Sequence, residues 1–294
     1  MWMTCCVAAL CDDRKAVVLA ADKMIGLGMI ESEPSISKIF KIHRDWWVML
    51  AGNDIAPAFD IVDAAKRKLA GKKDVDVDLA SRTLHECYVT KRTAEAEAQF
   101  LTPLGWTLQS FNSNQSTGVI PDATRVSVSN RIQNHFLQVS LLAAGFDGSG
   151  HGHIFAVDDY DGRGIPRRTD IPGYHAIGSG SQGATYMMAW RELSPKLPIR
   201  EALYYVTEGK YFGEHASGVG TRTDLFILRF RKPRIKILEK TVDEKLMKLC
   251  EALEPRRVRK NAIEVLNSIH GTLMDTVPKL RLEKENKSWV IKVV

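Results

Sequence analysis

Residues 4–24 read TCCVAALCDDRKAVVLAADKM. Thr4 to Leu10 and Ala16 to Ala21 are apolar, β-prone runs, and the polar turn Asp12-Asp13-Arg14-Lys15 lies between them. Two such runs joined by a short polar turn predict a β-hairpin. The second run stops at an acid, Asp22, and a hydroxyl residue, Thr4, stands at the head of the first. A threonine with a free amine is a complete nucleophile, because the amine serves as general base for its own hydroxyl.

Working outward, a looser stretch, Ile25 to Ile30, leads through Glu31-Ser32-Glu33-Pro34 to two further strands, Lys38 to Ile42 and Trp46 to Ala51. The second of these is nearly continuous in apolar residues, as a strand buried on both faces would be. Gly52-Asn53-Asp54 opens a helix reaching about Leu69, with Ile55, Phe59 and Val62 at helical spacing, and a second helix runs from about Val77 to Phe100. Residues 103–135, rich in Asn, Ser, Gln and Thr, read as an irregular insertion. Strands are expected again at Leu137 to Ala144, Ile154 to Val157 and Tyr174 to Ile177. Helices over Ser181 to Leu193 and Pro198 to about Tyr211 follow, then strands Asp224 to Phe230 and Ile235 to Leu238. Strands, a helix pair, strands, a helix pair and strands again form a block pattern. It predicts α+β architecture, with helices covering the outer faces of two stacked, mostly antiparallel sheets.

Residues 1–238 thus read as one domain and 239–294 as a C-terminal extension. In the extension, Val242, Leu246, Leu249 and Leu253 mark an amphipathic helix ending at Pro255, and a second helix runs to Gly271. Leu280 and Leu282 precede a polar turn, after which Trp289 to Val294 can pair back as a hairpin.

Composition is that of an ordinary globular chain, and no apolar run of eighteen residues is present, so no membrane helix is expected. The start shows no basic segment followed by an apolar one, so no signal peptide is expected. Five cysteines, two of them adjacent, form no disulfide framework, which points to a reducing cytoplasm. A net charge of +6 permits nucleic-acid binding without requiring it. The basic run Arg256 to Lys260 carries no interleaved aromatics and reads as a solvated helix face, so no nucleic-acid partner is expected.

Three local motifs have plain readings. Gly178-Ser179-Gly180-Ser181-Gln182-Gly183 matches the dinucleotide fingerprint between a strand and a helix, but no parallel strand follows. His151-Gly152-His153 lacks the carboxylate or cysteine set of a metal site and reads as a turn-edge pair. Cys87 reads as a small core residue of its helix. No cofactor and no metal are expected.

Seven stretches, TCCVAAL, AVVLAADKM, SKIFKI, VMLAGNDIA, LLAAGFDGSGHGHIFAVDD, AIGSGSQGA and EHASGVG, occur in that order across about residues 4–230. In this series the chain resembles proteasome β-type subunits and their bacterial relatives among the N-terminal-nucleophile (Ntn) hydrolases. The resemblance implies a four-layer αββα sandwich, in agreement with the block pattern. It places Thr4 on the catalytic N-terminal threonine, Asp22 on the acid closing the second strand, and Lys38 on the essential lysine. Gly52 falls on the glycine whose N–H serves the oxyanion hole. Ser179 and Ser217 fall on the serines around the threonine amine. The Asp22–Lys38 and Lys38–Gly52 intervals match the family, while Thr4 to Asp22 is two residues longer, an excess the hairpin turn absorbs.

Two departures stand out. Glu214 replaces the family's aspartate, its extra methylene loosening the geometry, and Met24 replaces a commonly basic residue, removing a supporting ion pair. By position, Ile25, Ile36, Phe40, Leu50 and Asp54 would line the pocket for the residue before the scissile bond, which suits a medium apolar side chain.

The resemblance implies a threonine-type endopeptidase in a cytoplasmic homo-oligomer, a ring or helical stack. It would act on peptides or unfolded proteins, with an ATP-dependent unfoldase as a partner that the residues themselves do not identify. A catalytically silent assembly subunit and an Ntn amidohydrolase acting on a small amide are the alternatives. Cys6 competes with Thr4 as nucleophile, because counting from Cys6 restores the family interval to Asp22 with no insertion. The TCCVA opening favours Thr4.

Overall fold

A computed structural model describes residues 4–27, 30–32, 37–113, 120–158, 163–231, 234–242, 280–285 and 288–293, with side chains over 4–24 and within 37–230. The opening hairpin is β1 (Cys6–Cys11) and β2 (Ala16–Asp22), in register from Cys6 opposite Ala21 to Cys11 opposite Ala16. Its turn is tight: Asp12, Asp13 and Arg14 all take left-handed φ angles of 53–65°. The Arg14 guanidinium supports the turn by donating to the Gly152 carbonyl from Nε and Nη2, at 3.1 and 2.9 Å.

The short strands β3 (Ile25–Leu27) and β4 (Ile30–Ser32) pair with each other in the stretch expected to be loose. Then come β5 (Ile39–His43), β6 (Trp46–Gly52), α1 (Ala56–Leu69) and α2 (Val77–Phe100). The Asp76 side chain caps α2 by accepting from Leu79 N–H at 2.7 Å. Gly52 does not open α1 as expected. It ends β6 opposite Val139, and the helix begins at Ala56, whose N–H donates to the Asp54 carboxylate at 2.9 Å.

The segment expected to be irregular is helical over much of its length, with α3 (Leu108–Ser113) and α4 (Asp122–Gln133). Its apolar residues are too sparse for a clear period, yet Phe111, Ile120 and Val128 bury with Leu101 in a small separate cluster. Arg92 of α2 secures the far end of α4, donating to the carbonyls of Ile132, Gln133 and His135 at 2.7–3.0 Å. Satisfying the last carbonyls of a helix with a cation is favourable both as hydrogen bonding and against the helix dipole.

The chain continues through β7 (Val139–Phe146), β8 (Gly152–Val157), β9 (Arg167–Arg168) and β10 (Tyr174–Ile177). Next are α5 (Ser181–Trp190), α6 (Ile199–Gly213), β11 (Thr223–Arg231) and β12 (Arg234–Val242). β12 outruns the expected 235–238, so the segment assigned to the extension begins inside a strand of the main body. Val242, expected to open a helix, ends β12, and the rest of the two expected helices and the basic run at 256–260 lie outside the described residues. The C-terminal hairpin is β13 (Leu280–Glu285) with β14 (Ser288–Val293).

The protein is thus mixed α+β with two five-stranded antiparallel sheets, ordered β10-β1-β2-β11-β12 and β5-β6-β7-β8-β9. Alternation along the strands sorts side chains into three buried layers. Val7, Ala9, Val18 and Ala20 pack with Ala202, Val206 and Met188 of α5 and α6. Ala8, Leu10, Leu19 and Ala21 on the opposite face meet Trp47, Met49, Leu142 and Ile154 of the second sheet. Trp46, Val48 and Leu50 pack with Ile61, Ala65 and Leu84 of α1 and α2. Among the described residues no helix is long and apolar enough to cross a membrane.

His153, expected to lack carboxylate neighbours, has two. Its Nδ1 lies 2.9 Å from Asp170 Oδ2 and its Nε2 3.2 Å from Asp147 Oδ2. Arg168 also bonds Asp170, at 2.7 Å, so the cluster ties β9 and its following turn to β8. Burial alone would raise both acids. The Ser149 hydroxyl, His151 N–H and His153 outweigh it and lower Asp147 to about 2, while His153, Arg168 and Ile154 N–H hold Asp170 well below the carboxylate range. Acids depressed on folding stabilise the fold above their unfolded pKa of about 4 and lose that contribution as pH falls through the folded value. Urea unfolding should therefore show a fall in stability between about pH 4 and pH 2. In Asp170→Asn the fall should be smaller, with stability at pH 7 reduced by about 1–3 kcal/mol. Parallel pH profiles for the two proteins would contradict this.

Candidate active site

Thr4 precedes β1 and is buried, and Asp22 at the end of β2 is completely buried. Hairpin pairing brings the two together: Asp22 N–H donates to the Cys5 carbonyl at 3.2 Å, and Cys5 N–H donates to Asp22 Oδ1 at 2.8 Å. Met24 N–H and Gly220 N–H donate to Asp22 Oδ2 at 3.0 and 3.2 Å. Lys38, also buried, precedes β5 and points its ammonium at the same acid, with Nζ 3.1 Å from both carboxylate oxygens. From there Nζ donates to Thr4 Oγ1 at 2.7 Å. A hydroxyl, a lysine and a carboxylate thus form one buried constellation. Carboxylate and ammonium neutralise one another, and the acid's remaining lone pairs are met by backbone donors, which is what makes a buried pair tolerable.

The segment that carries Ser179 arrives between β10 and α5. Gly178 has φ 93°, and a Cβ there would lie 2.2 Å from the Thr4 carbonyl oxygen. At Gly180 a Cβ would lie 2.6 Å from the Gly213 carbonyl and 2.8 Å from Cys5 Cβ. The glycines that imitate a dinucleotide fingerprint are therefore explained by close backbone approach to Thr4 and α6. Ser179 between them stands with its hydroxyl 3.4 Å from both the nitrogen and the carbonyl oxygen of Thr4, and it donates to the Ser217 carbonyl at 3.5 Å. Ser217 itself is exposed and contributes its backbone oxygen to that contact.

Gly52 ends a strand, so its N–H has no helix dipole behind it, contrary to expectation. A Cβ there would meet the Gln138 carbonyl at 2.8 Å, which gives the glycine a structural reason as well. The strand that carries it lies across from β1, Cys6 Sγ being 3.5 Å from the Leu50 carbonyl. The Glu214 carboxylate, just past the end of α6, forms an ion pair with Lys210 Nζ one turn earlier. In place of the ion pair that Met24 would lack, the preceding Lys23 forms a buried one with Asp224 at 3.0 Å.

Of the expected pocket residues, Ile25 and Ile36 have no described side chain. Leu50 is fully buried among residues of α1 and α2, so its side chain is core. Phe40 is half-buried against the same layer, edge-on to Phe59 at 5.2 Å, and exposed Asp54 caps α1. A cleft of about 600 Å³ is lined by Ser140, Asp158, Arg167, His175, Gln182 and Tyr186 and reaches Gly178, while Thr4, Asp22 and Lys38 do not line it. Burial and the Arg167 guanidinium push the His175 imidazole down, against the opposing pull of Asp158.

Cys6 is fully buried between the sheets, and burial raises its thiol well above the ordinary range. Cys5 is pushed up to about 12 by the same cause, and burial raises Cys87 too. A thiol so desolvated yields little thiolate and is a poor nucleophile.

Sequence reasoning missed Lys210 and Gly220, the first because a lysine near a helix end reads as solvated surface. Its signal was Glu214 four residues on, a spacing that places both on one helix face. Comparison with protein-family models and with curated proteins finds no match to the chain.

Gly178→Ala should expose the importance of the close approach at Thr4. The new methyl group meets a backbone carbonyl at a left-handed φ, so neither partner yields cheaply. A loss of about 1–3 kcal/mol in denaturant unfolding is expected, and an unchanged midpoint would show that the approach at Thr4 is not tight.

Proposed function

We propose that the chain is an Ntn hydrolase of the proteasome β type, cleaving peptide bonds with Thr4 as nucleophile. The observation that carries the reading is the Lys38 ammonium, 2.7 Å from Thr4 Oγ1 and 3.1 Å from both Asp22 oxygens. Two antiparallel sheets face to face with helix pairs outside agree with the Ntn fold, and the resemblance of the seven motifs supports it.

In this reading the free α-amine of Thr4 takes the hydroxyl proton as Oγ1 attacks the substrate carbonyl carbon. Lys38 offers positive charge to the developing alkoxide, and Asp22 holds Lys38 in place. The carbonyl oxygen becomes an oxyanion for which the Gly52 N–H is the candidate donor, a contribution of about 3 kcal/mol per donor. Collapse of the tetrahedral intermediate breaks the C–N bond, and the amine leaves with the proton held by the α-amine. Water then attacks the Thr4 ester, releasing the acid and restoring the hydroxyl.

Met1-Trp2-Met3 must be absent for this chemistry, because an acylated nitrogen is no base. Removal follows either from initiation at Met3 and loss of that methionine, or from attack of Thr4 Oγ1 on the Met3 carbonyl, which moves the acyl group from nitrogen to oxygen and frees the amine, followed by hydrolysis of the resulting ester by water. Ser179, whose hydroxyl lies 3.4 Å from the Thr4 nitrogen, is placed to hold the released amine. We further propose a cytoplasmic homo-oligomer acting on peptides or unfolded chains. The four described cysteines, all buried free thiols, suit a reducing compartment.

Two experiments test the reading. Lys38→Ala leaves the buried Asp22 carboxylate without its counter-charge and should unfold at lower denaturant, and the fraction that circular dichroism shows to be folded should lose fluorogenic-peptide hydrolysis by roughly a thousandfold or more, as removal of one member of a catalytic unit does. Full activity in that variant would reject the assignment. Intact-mass analysis of active protein should show Thr4 as first residue. A mature chain beginning at Cys6, or full activity in Thr4→Ala, would take the nucleophile away from threonine.

A further inference from the structure

We propose that Lys210 is a positioning residue of the threonine site, strapping the 214–220 loop so that its last glycine holds Asp22. The proposal rests on the hydrolase reading of Thr4 for its consequence in catalysis, and on geometry alone for the strap.

Lys210 lies on α6, and its side chain is completely buried. A buried ammonium is costly unless paired and hydrogen-bonded. Here it has both kinds of partner, an ion pair with Glu214 and a bond to the Gly220 carbonyl at 2.6 Å. These partners stand at opposite ends of one loop. Between them the chain leaves α6, turns through Ala216 N–H to the Gly213 carbonyl at 3.1 Å, and passes Ser217, whose carbonyl accepts from Ser179. One lysine therefore closes the loop at its base. The residue it grips, Gly220, is the one whose N–H donates to Asp22 Oδ2 at 3.2 Å.

The resulting series runs from Lys210 through Gly220, Asp22 and Lys38 to the Thr4 hydroxyl. The same helix is fixed against the nucleophile from a second direction, since a Cβ on Gly213 would lie 2.6 Å from Cys5 Sγ. Glutamate at 214 has a function in this arrangement. Its extra methylene lets the carboxylate fold back along the helix to the ammonium one turn earlier, a reach that aspartate would shorten. Lys210 touches no reacting atom in this scheme and acts only through Gly220 and Asp22.

The test compares full-length wild type with Lys210→Met and with the double variant Lys210→Met/Glu214→Gln. The double variant leaves no unpaired buried charge and so keeps the test open if the single variant does not fold. Hydrogen exchange by mass spectrometry should show amides of 217–222 exchanging at least about tenfold faster in the double variant, with α5 and the sheets unchanged. On a fluorogenic peptide kcat should fall about 10- to 100-fold with KM within twofold, because orientation of Lys38 is lost while substrate contacts remain. Unaltered exchange at 217–222 would overturn the strap. Faster exchange with unchanged kcat would overturn its role in catalysis. A wild-type protein that cleaves no peptide would reject the hydrolase reading separately, and the exchange measurement would still decide whether Lys210 holds the loop.

Discussion

The buried carboxylate of Asp22 is the interaction around which the rest of the structure is arranged. Stripped of water it would be among the most costly groups in the molecule. It survives because three backbone N–H groups and one ammonium converge on it, from Cys5, Met24, Gly220 and Lys38. Those donors come from the residue before the first strand, the connection after the second, the loop after the last major helix and the entry to the other sheet. A single acid thus links the two sheets and the α6 loop, and the four segments cannot shift independently without leaving it unpaired.

Small side chains make the convergence sterically feasible. β1 and β2 bury every residue, and much of that length is alanine, cysteine and valine. The layers on either side can then approach closely while bulk is supplied from opposite, by Trp47, Met49 and Phe146 on the second sheet and Tyr204 on α6, and Trp46 and Phe155 fill the far layer under α1 and α2. Trp46 fills its place and also satisfies its polar edge, donating from Nε1 to the Val75 carbonyl at 2.8 Å. Glycine extends the same logic to the backbone. Gly178, Gly180 and Gly213 bring the β10–α5 turn and the end of α6 against Thr4 and Cys5.

Charge is distributed unevenly in this architecture. Around Thr4, Lys38, Lys210 and Lys23 are all buried, each paired with a carboxylate. Their partners are fixed by strands and one helix, so geometry is preserved where reaction is proposed. The His153 cluster beside β8 and β9 is partly open to solvent, and it ties the turns at the other end of the strands through arginine and aspartate.

Much was determined by the sequence itself, because period and turn chemistry act locally. The β1–β2 hairpin, the extent of α2 and the block order of sheets and helices follow from runs of apolar residues and from Asp76 and the Asp12–Lys15 turn. Local signals failed where burial depended on distant partners. Sparse Phe111 and Val128 give no period, yet they complete a cluster supplied by Leu101 and Ile120. Gly52 and Asp54 look like a helix start, but pairing with Val139 keeps Gly52 in a strand. Composition could not show that Leu50 faces α1 and α2, nor that Lys210 is interior, since each depends on which face of an element meets which neighbour. The candidate triad stands between these cases. Residue types and intervals brought Thr4, Asp22 and Lys38 into view as a family likeness. Only the packing of two sheets set an ammonium within hydrogen-bond reach of a hydroxyl thirty-four residues away in the chain.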